Sequence, residues 1–227
     1  MPGKYYVADY AQDVAAFLVA VVGRPAIIAG HSLGGLVAIR VVAEAPEWVS
    51  GLLLEDVPFF EARVPRSYES AFYGIFRFVK PLLLEHATRG GTVDELAAAM
   101  EQWSAGDGRT LIEAQGEAVV RRQAAELHQF APDALDPAMD GSILDRFDTD
   151  EAPRLIRCPV HLVAGQHDLG GAMTEQDVRD LVAQIPNCTS TVLEGVGHGI
   201  HIHRPRVFID ELQAFVSTRV QPVAGAS

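Results

Sequence analysis

Three side chains have the types and spacing that covalent acyl chemistry needs: Ser32, Asp168 and His198. Ser32 stands in Gly30-His31-Ser32-Leu33-Gly34. This is the G-x-S-x-G pattern, in which a serine occupies a sharp turn between a strand and a helix. That turn lifts the hydroxyl above the sheet and aims the amide of Leu33, a candidate oxyanion donor, at any oxyanion the serine creates. A side chain at Gly30 or Gly34 is expected to collide with neighbouring backbone in so tight a turn. His198 would accept the Ser32 proton as general base. Asp168 would hold the imidazole tautomer and stabilise the imidazolium that forms. Asp56, at the end of the second predicted strand, is an alternative acid. Asp168 has the better loop context, Gly165-Gln166-His167-Asp168.

The elements that must position these groups are legible in the apolar pattern. Asp9 can cap a helix running to about Val22, ended by Gly23. A first strand follows at Ala26–Ala29, then the turn, then a helix from Leu36 to Ala43. Val49 to Leu54 reads as a second strand running into Glu55-Asp56, which completes a βαβ unit with a right-handed crossover. Strands resume at Pro159–Ala164 and Thr189–Leu193, separated by a helix opened by Thr174 or Asp177 and closed at Pro186. A final helix follows Arg204-Pro205 and carries Val207, Phe208, Leu212, Phe215 and Val216, and beyond about Arg219 the tail looks frayed. Ser32, Asp168 and His198 thus fall beyond the carboxyl ends of three parallel strands, the edge where open α/β sheets build their sites. From about Pro58 to Ile156 no strand is evident. Its aromatic-rich start (Phe59 and Phe60 to Phe78) and helix-like segments at 94–103 and 111–130 read as an all-helical lid over that edge. The expected organisation is therefore a core in two parts, 1–57 and 157–227, around a lid at 58–156. His31, Phe59 and Phe60 are candidate substrate-pocket residues, although aromatics of this kind equally build a lid's own core.

Composition sets the outer bounds. The chain has 227 residues, 48% of them hydrophobic and 21% charged, with a formal net charge of −12. The only basic cluster is Arg121-Arg122, which argues against nucleic acid and anionic membrane surfaces as partners. No apolar run is long enough to span a membrane. With no signal peptide in view, a cytoplasmic location is expected. Cys158 and Cys188 are too few for a disulfide framework and read as buried free thiols. His198, His201 and His203 have no carboxylate or cysteine ligand pattern beside them, so no metal or cofactor is expected. His201 is expected to pack beneath the final helix, and Glu55, His161 and His167 read as structural.

Together, Gly30-His31-Ser32-Leu33-Gly34-Gly35, the strand-loop Val160 to Asp168, and Gly195-Val196-Gly197-His198 resemble the three motifs of the α/β-hydrolase fold family, in its order serine, acid, histidine. The resemblance spans essentially the whole chain and is weakest across the lid. It is nearest to single-chain serine esterases and lactonases with a helical lid. It implies a mostly parallel sheet flanked by helices, no cofactor, and hydrolysis of a small hydrophobic ester or lactone through an acyl-enzyme on Ser32. C–C bond hydrolysis with the same triad and a non-catalytic homologue are the alternatives. The serine speaks against the related branches that use an aspartate nucleophile. One departure stands out. Family members carry further strands before the helix that here opens near Asp9, with a loop that supplies a second oxyanion donor. The expectation is therefore an N-terminally truncated homologue with impaired turnover and an apolar sheet edge at Ala26–Ala29 open to self-association.

Overall fold

A computed structural model describes residues 3–104 and 108–219; the tail beyond Arg219 lies outside them. Four strands form one parallel sheet in chain order: β1 (Ala26–His31), β2 (Val49–Glu55), β3 (Val160–Gly165) and β4 (Cys188–Leu193). Every expected strand is present; β1, β2 and β4 are longer by a residue or two, and β3 is shifted by one residue toward its carboxyl end. The first helix, α1 (Val7–Phe17), continues as a π-helical turn at Leu18–Val22 and stops at Gly23. Asp9 sits inside it rather than at the cap. Its carboxylate accepts the amide of Tyr6 from three residues on and pairs with Arg146 at 2.9 Å. Helix α2 (Leu33–Glu44) follows β1 directly.

Helices α3 (Ala71–Thr88), α4 (Val93–Glu101), α5 (Leu111–Gln115), α6 (Glu117–His128) and α7 (Asp136–Asp140) occupy the middle of the chain. After them come α8 (Ala152–Leu155), α9 (Glu175–Gln184), α10 (Ile200–His203) and α11 (Pro205–Arg219).

The chain divides into two compact units, one formed by Ala71–Met139 and the other by Lys4–Ser70 with the stretch from Asp140 onward. The helical unit is shorter at both ends than the expected 58–156. Residues on either side of it, Phe59, Ile143, Phe147, Ala152 and Ile156, are buried in the core of the sheet unit instead. Within the helical unit, Leu83, Leu96, Ala97, Met100, Val120 and Ala124 form a separate core. Thr92 and Thr110 each close a capping box, with Glu95 and Glu113. Such boxes satisfy backbone donors that a helix start leaves open. Gly116, at φ 81°, divides the expected 111–130 helix into α5 and α6. Helix α3 has no clear sequence signal, because its Pro81 reads as a breaker.

The sheet unit buries both faces of its sheet, so its central strand is a continuous apolar run. Leu52 and Leu54 of β2 point into a core shared with α2 and α9, and Leu53 points to the opposite side, toward Val163, Val196, Ile200 and Phe215. All three leucines are fully buried, each worth roughly 1.5–3 kcal/mol relative to exposure. The alternation has a consequence at the carboxyl end. Glu55 falls on the Leu53 side, where α10 and α11 lie, and the chain then turns at Asp56.

Candidate active site

Ser32 is the hinge between β1 and α2. Its backbone lies at φ 53° and ψ −123°, a region that costs a non-glycine residue on the order of 1–3 kcal/mol. Neighbouring hydrogen bonds hold it there: the Ser32 amide donates to the carbonyl of Glu55 at 3.0 Å, and the Gly35 amide donates to the carbonyl of Ser32 at 2.9 Å. The strained residue is thus the serine and not its glycines. Gly30 is required for space, since a Cβ there would stand 2.4 Å from the carbonyl oxygen of Gly34. Gly34 is not, as nothing lies within 4 Å of a Cβ at that position, contrary to the sequence expectation. The second steric requirement falls on Gly35, whose Cβ would meet Cγ2 of Val57 at 2.2 Å. Leu33 opens α2, so its amide is among the donors with no intrahelical acceptor.

The acid that meets His198 is Asp56, not Asp168. Nδ1 of His198 donates to Oδ2 of Asp56 at 2.7 Å, and Asp56 is fully buried. Its carboxylate also accepts the backbone amides of Gly165 at 3.1 Å and Ala172 at 2.8 Å. The loop after β3 therefore turns its amides toward Asp56 and carries Asp168 outward. Asp168 lies exposed on the short 3₁₀ turn His167–Leu169. There it lines a cavity of ≈ 580 Å³ together with Gln166, Glu175 and Glu194. The loop bearing His198 is pressed onto this one backbone to backbone. A Cβ on Gly165 would stand 2.2 Å from the carbonyl oxygen of Gly197, and one on Gly197 would stand 2.0 Å from that of Leu169. Because Nδ1 carries the proton given to Asp56, Nε2 is the nitrogen left with a lone pair.

His31, the residue before Ser32, braces the histidine loop. Its Nε2 donates to the backbone carbonyl of His198 at 2.9 Å, and the two rings lie 4.4 Å apart. Burial, with His198 nearby, pushes the His31 pKa below its ordinary value. Phe59, expected in a pocket, is a fully buried core residue with the guanidinium of Arg63 4.8 Å above its ring. Phe60 packs against the same core, 5.0 Å from that guanidinium.

Two residues read as structural in the sequence also belong to this neighbourhood. Glu55, 2% exposed, accepts both the backbone amide and Nδ1 of His201, at 2.8 and 2.9 Å. The signal for Glu55 was a charged residue closing β2, a strand with no other charge. Cys158 and Cys188 are free thiols, partly buried, with pKa values pushed up by desolvation to about 11 and about 12.

A strand, a strained serine and a helix, with an acid-held histidine on the same sheet edge, define a hydrolase architecture. The comparisons with known proteins agree. The family model described as "Alpha/beta hydrolase family" matches residues 2–211, and the chain belongs to that family. It is 26% identical over 220 residues to a protein of Pseudomonas syringae pv. syringae (strain B728a) assigned as a carbamate hydrolase, RutD; the match covers 96% of this chain and 78% of that one. It is 28% identical over 194 residues to the pimeloyl-[acyl-carrier protein] methyl ester esterase of Aliivibrio fischeri (strain ATCC 700601 / ES114), covering 83% of this chain and 68% of the relative. Among solved structures, Est816, an N-acyl homoserine lactone degrading enzyme, superposes with a TM-score of 0.60 at 25% identity, over 93% of this chain and 75% of its own. A hydrolase from Pseudomonas aeruginosa PA01 shares the fold with a TM-score of 0.67 at 21% identity, over 96% of this chain and 74% of its own.

Proposed function

We propose that this chain is a serine hydrolase that cleaves a carboxylic ester or lactone of a small hydrophobic substrate through an acyl-enzyme on Ser32. The observation that carries the reading is the buried Asp56 carboxylate holding Nδ1 of His198, at the same sheet edge as a serine kept at a strained strand-to-helix turn. In this reading Oγ of Ser32 attacks the substrate carbonyl carbon while Nε2 of His198 takes the hydroxyl proton. The amide of Leu33 donates to the oxyanion, and Asp56 stabilises the imidazolium. Collapse of the tetrahedral intermediate breaks the bond to the leaving oxygen, which receives the proton from His198. Water, activated by the same histidine, then frees the acid and restores Ser32. A methyl ester esterase and a lactone-degrading enzyme among the similar proteins support this substrate class.

A fluorophosphonate probe tests the mechanism, because only an activated serine labels rapidly. The parent protein is expected to label and to hydrolyse a short p-nitrophenyl ester. Ser32→Ala should do neither while keeping its circular-dichroism spectrum. Undiminished labelling of Ser32→Ala, or no labelling of the parent, would overturn the assignment. A panel of esters, lactones and carbamates run on the parent tests the substrate class, and preferential turnover of the carbamates would move it.

A further inference from the structure

We propose that His31, Glu55 and His201 form a binding site for a divalent transition-metal ion, zinc by preference. Each of the three offers one ligand atom, and these atoms all lie within 4.8 Å of one another. Zinc holds nitrogen and carboxylate ligands at about 2.0–2.2 Å. Ligand atoms around one ion then stand roughly 3.3 Å apart, so closing the set needs a contraction of about 1.5 Å at most. Two imidazoles and one carboxylate are a donor set that zinc accepts, with a fourth position left for water.

The fold explains why residues so far apart in sequence meet. His31 and Glu55 are cross-strand partners in the parallel register of β1 and β2. The period-2 alternation puts Glu55 on the face of Leu53, which is also the face that α10 covers. Helix α10 delivers His201 to that carboxylate through the 2.8 Å backbone bond. Glu55 is nearly inaccessible, whereas the His201 side chain is 41% exposed, so an ion has an entry path past the outer ligand. Electrostatics favours a cation here. Glu55 and Asp56 are consecutive buried carboxylates, and a buried carboxylate is costly unless a positive charge accompanies it. Coordination at Nδ1 of His201 moves that nitrogen's proton to Nε2, and the ion brings two positive charges to the Glu55 carboxylate.

The test uses the full chain after treatment with a chelator, titrated with zinc chloride against a chromogenic indicator, and with cobalt(II) read by its visible absorption. The expected result is one equivalent bound, a four- or five-coordinate cobalt spectrum, and a rise in thermal midpoint with added zinc. Glu55→Gln and His201→Asn should each weaken binding by at least about tenfold. His201→Asn changes a partly exposed side chain, so it retains the fold if Glu55→Gln does not. His203→Asn and the double variant Cys158→Ser/Cys188→Ser should bind as the parent does. Absence of a saturable equivalent, affinity unchanged in His201→Asn, or binding lost with the cysteines would each overturn the site. Binding is read directly, so its failure leaves the serine hydrolase reading untouched.

Discussion

Replacing Asp56 by Asn is the perturbation that separates the structural assignment of the acid from the sequence one. In the native site the carboxylate accepts three hydrogen bonds, from His198 Nδ1 at 2.7 Å, Ala172 N at 2.8 Å and Gly165 N at 3.1 Å. An asparagine has one acceptor oxygen and an NH2 group that can only donate. Whichever way it turns, at least one of those donors faces another donor. If the amide oxygen takes the place of Oδ1 it keeps only the Gly165 amide, and the NH2 faces both the Ala172 amide and His198, driving the histidine to the opposite tautomer, with Nε2 protonated and unable to act as base. In a comparable triad this change costs on the order of 10⁴ in kcat, about 5 kcal/mol of barrier. If the oxygen instead keeps His198, a buried backbone amide loses its acceptor, at about 1–3 kcal/mol of stability. Asp168→Asn alters an exposed side chain on the far side of the loop and should leave kcat within about twofold of the parent. The assay is kcat and KM of both variants on one p-nitrophenyl ester, with thermal midpoints measured in parallel. A loss of kcat in Asp168→Asn equal to or larger than that in Asp56→Asn, with both variants folded, would refute the reasoning.

Other outcomes follow from the same geometry. Gly35→Ala forces a Cβ against Val57 and should cost about 1–3 kcal/mol in a denaturant titration. Gly34→Ala has open space and should gain a few tenths to about 1 kcal/mol by the helix preference for alanine; the reverse ranking would show that the turn is built differently. Burial pushes the Glu61 carboxyl above the usual carboxylate range, and its Oε2 has no hydrogen-bond partner. A group with a raised folded-state pKa contributes stability at low pH that is lost as pH rises through that pKa. Glu61→Gln should therefore match the parent near pH 4 and exceed its thermal midpoint near pH 8, and a gap that does not widen with pH would refute this. Among the described residues β1 is paired on one side only, by β2, and Phe17, Val19 and Val21 nearby are exposed. Sedimentation velocity should show reversible self-association that Val21→Lys weakens; a monodisperse monomer at all concentrations would rule it out.

The local half of this molecule was readable from its residues. Strands β2 and β3 announced themselves as apolar runs, because strands covered on both faces leave little polar alternation to confuse them. The serine turn was readable because sterics confine it to a short menu of residues. Ser32 and His198 each lie within a few residues of a strand end, so identifying the strand places the side chain. What a loop does once it leaves the sheet is a matter of packing. Asp168 had the expected position after β3, yet the Gly165 and Ala172 amides converge on Asp56, an alternation-breaking acid directly after β2. No window of sequence contains both partners of the His198–Asp56 bond, which are 142 residues apart. The same holds for Gly35 against Val57, and for His31, Glu55 and His201, which share one sheet face only because β1 and β2 pair in a register that sets His31 beside Glu55. Periodicity and turn sterics act over a few residues and are written in the chain, whereas the partner of a buried charge is chosen by which distant backbones come within hydrogen-bond reach, and only the folded chain makes that choice.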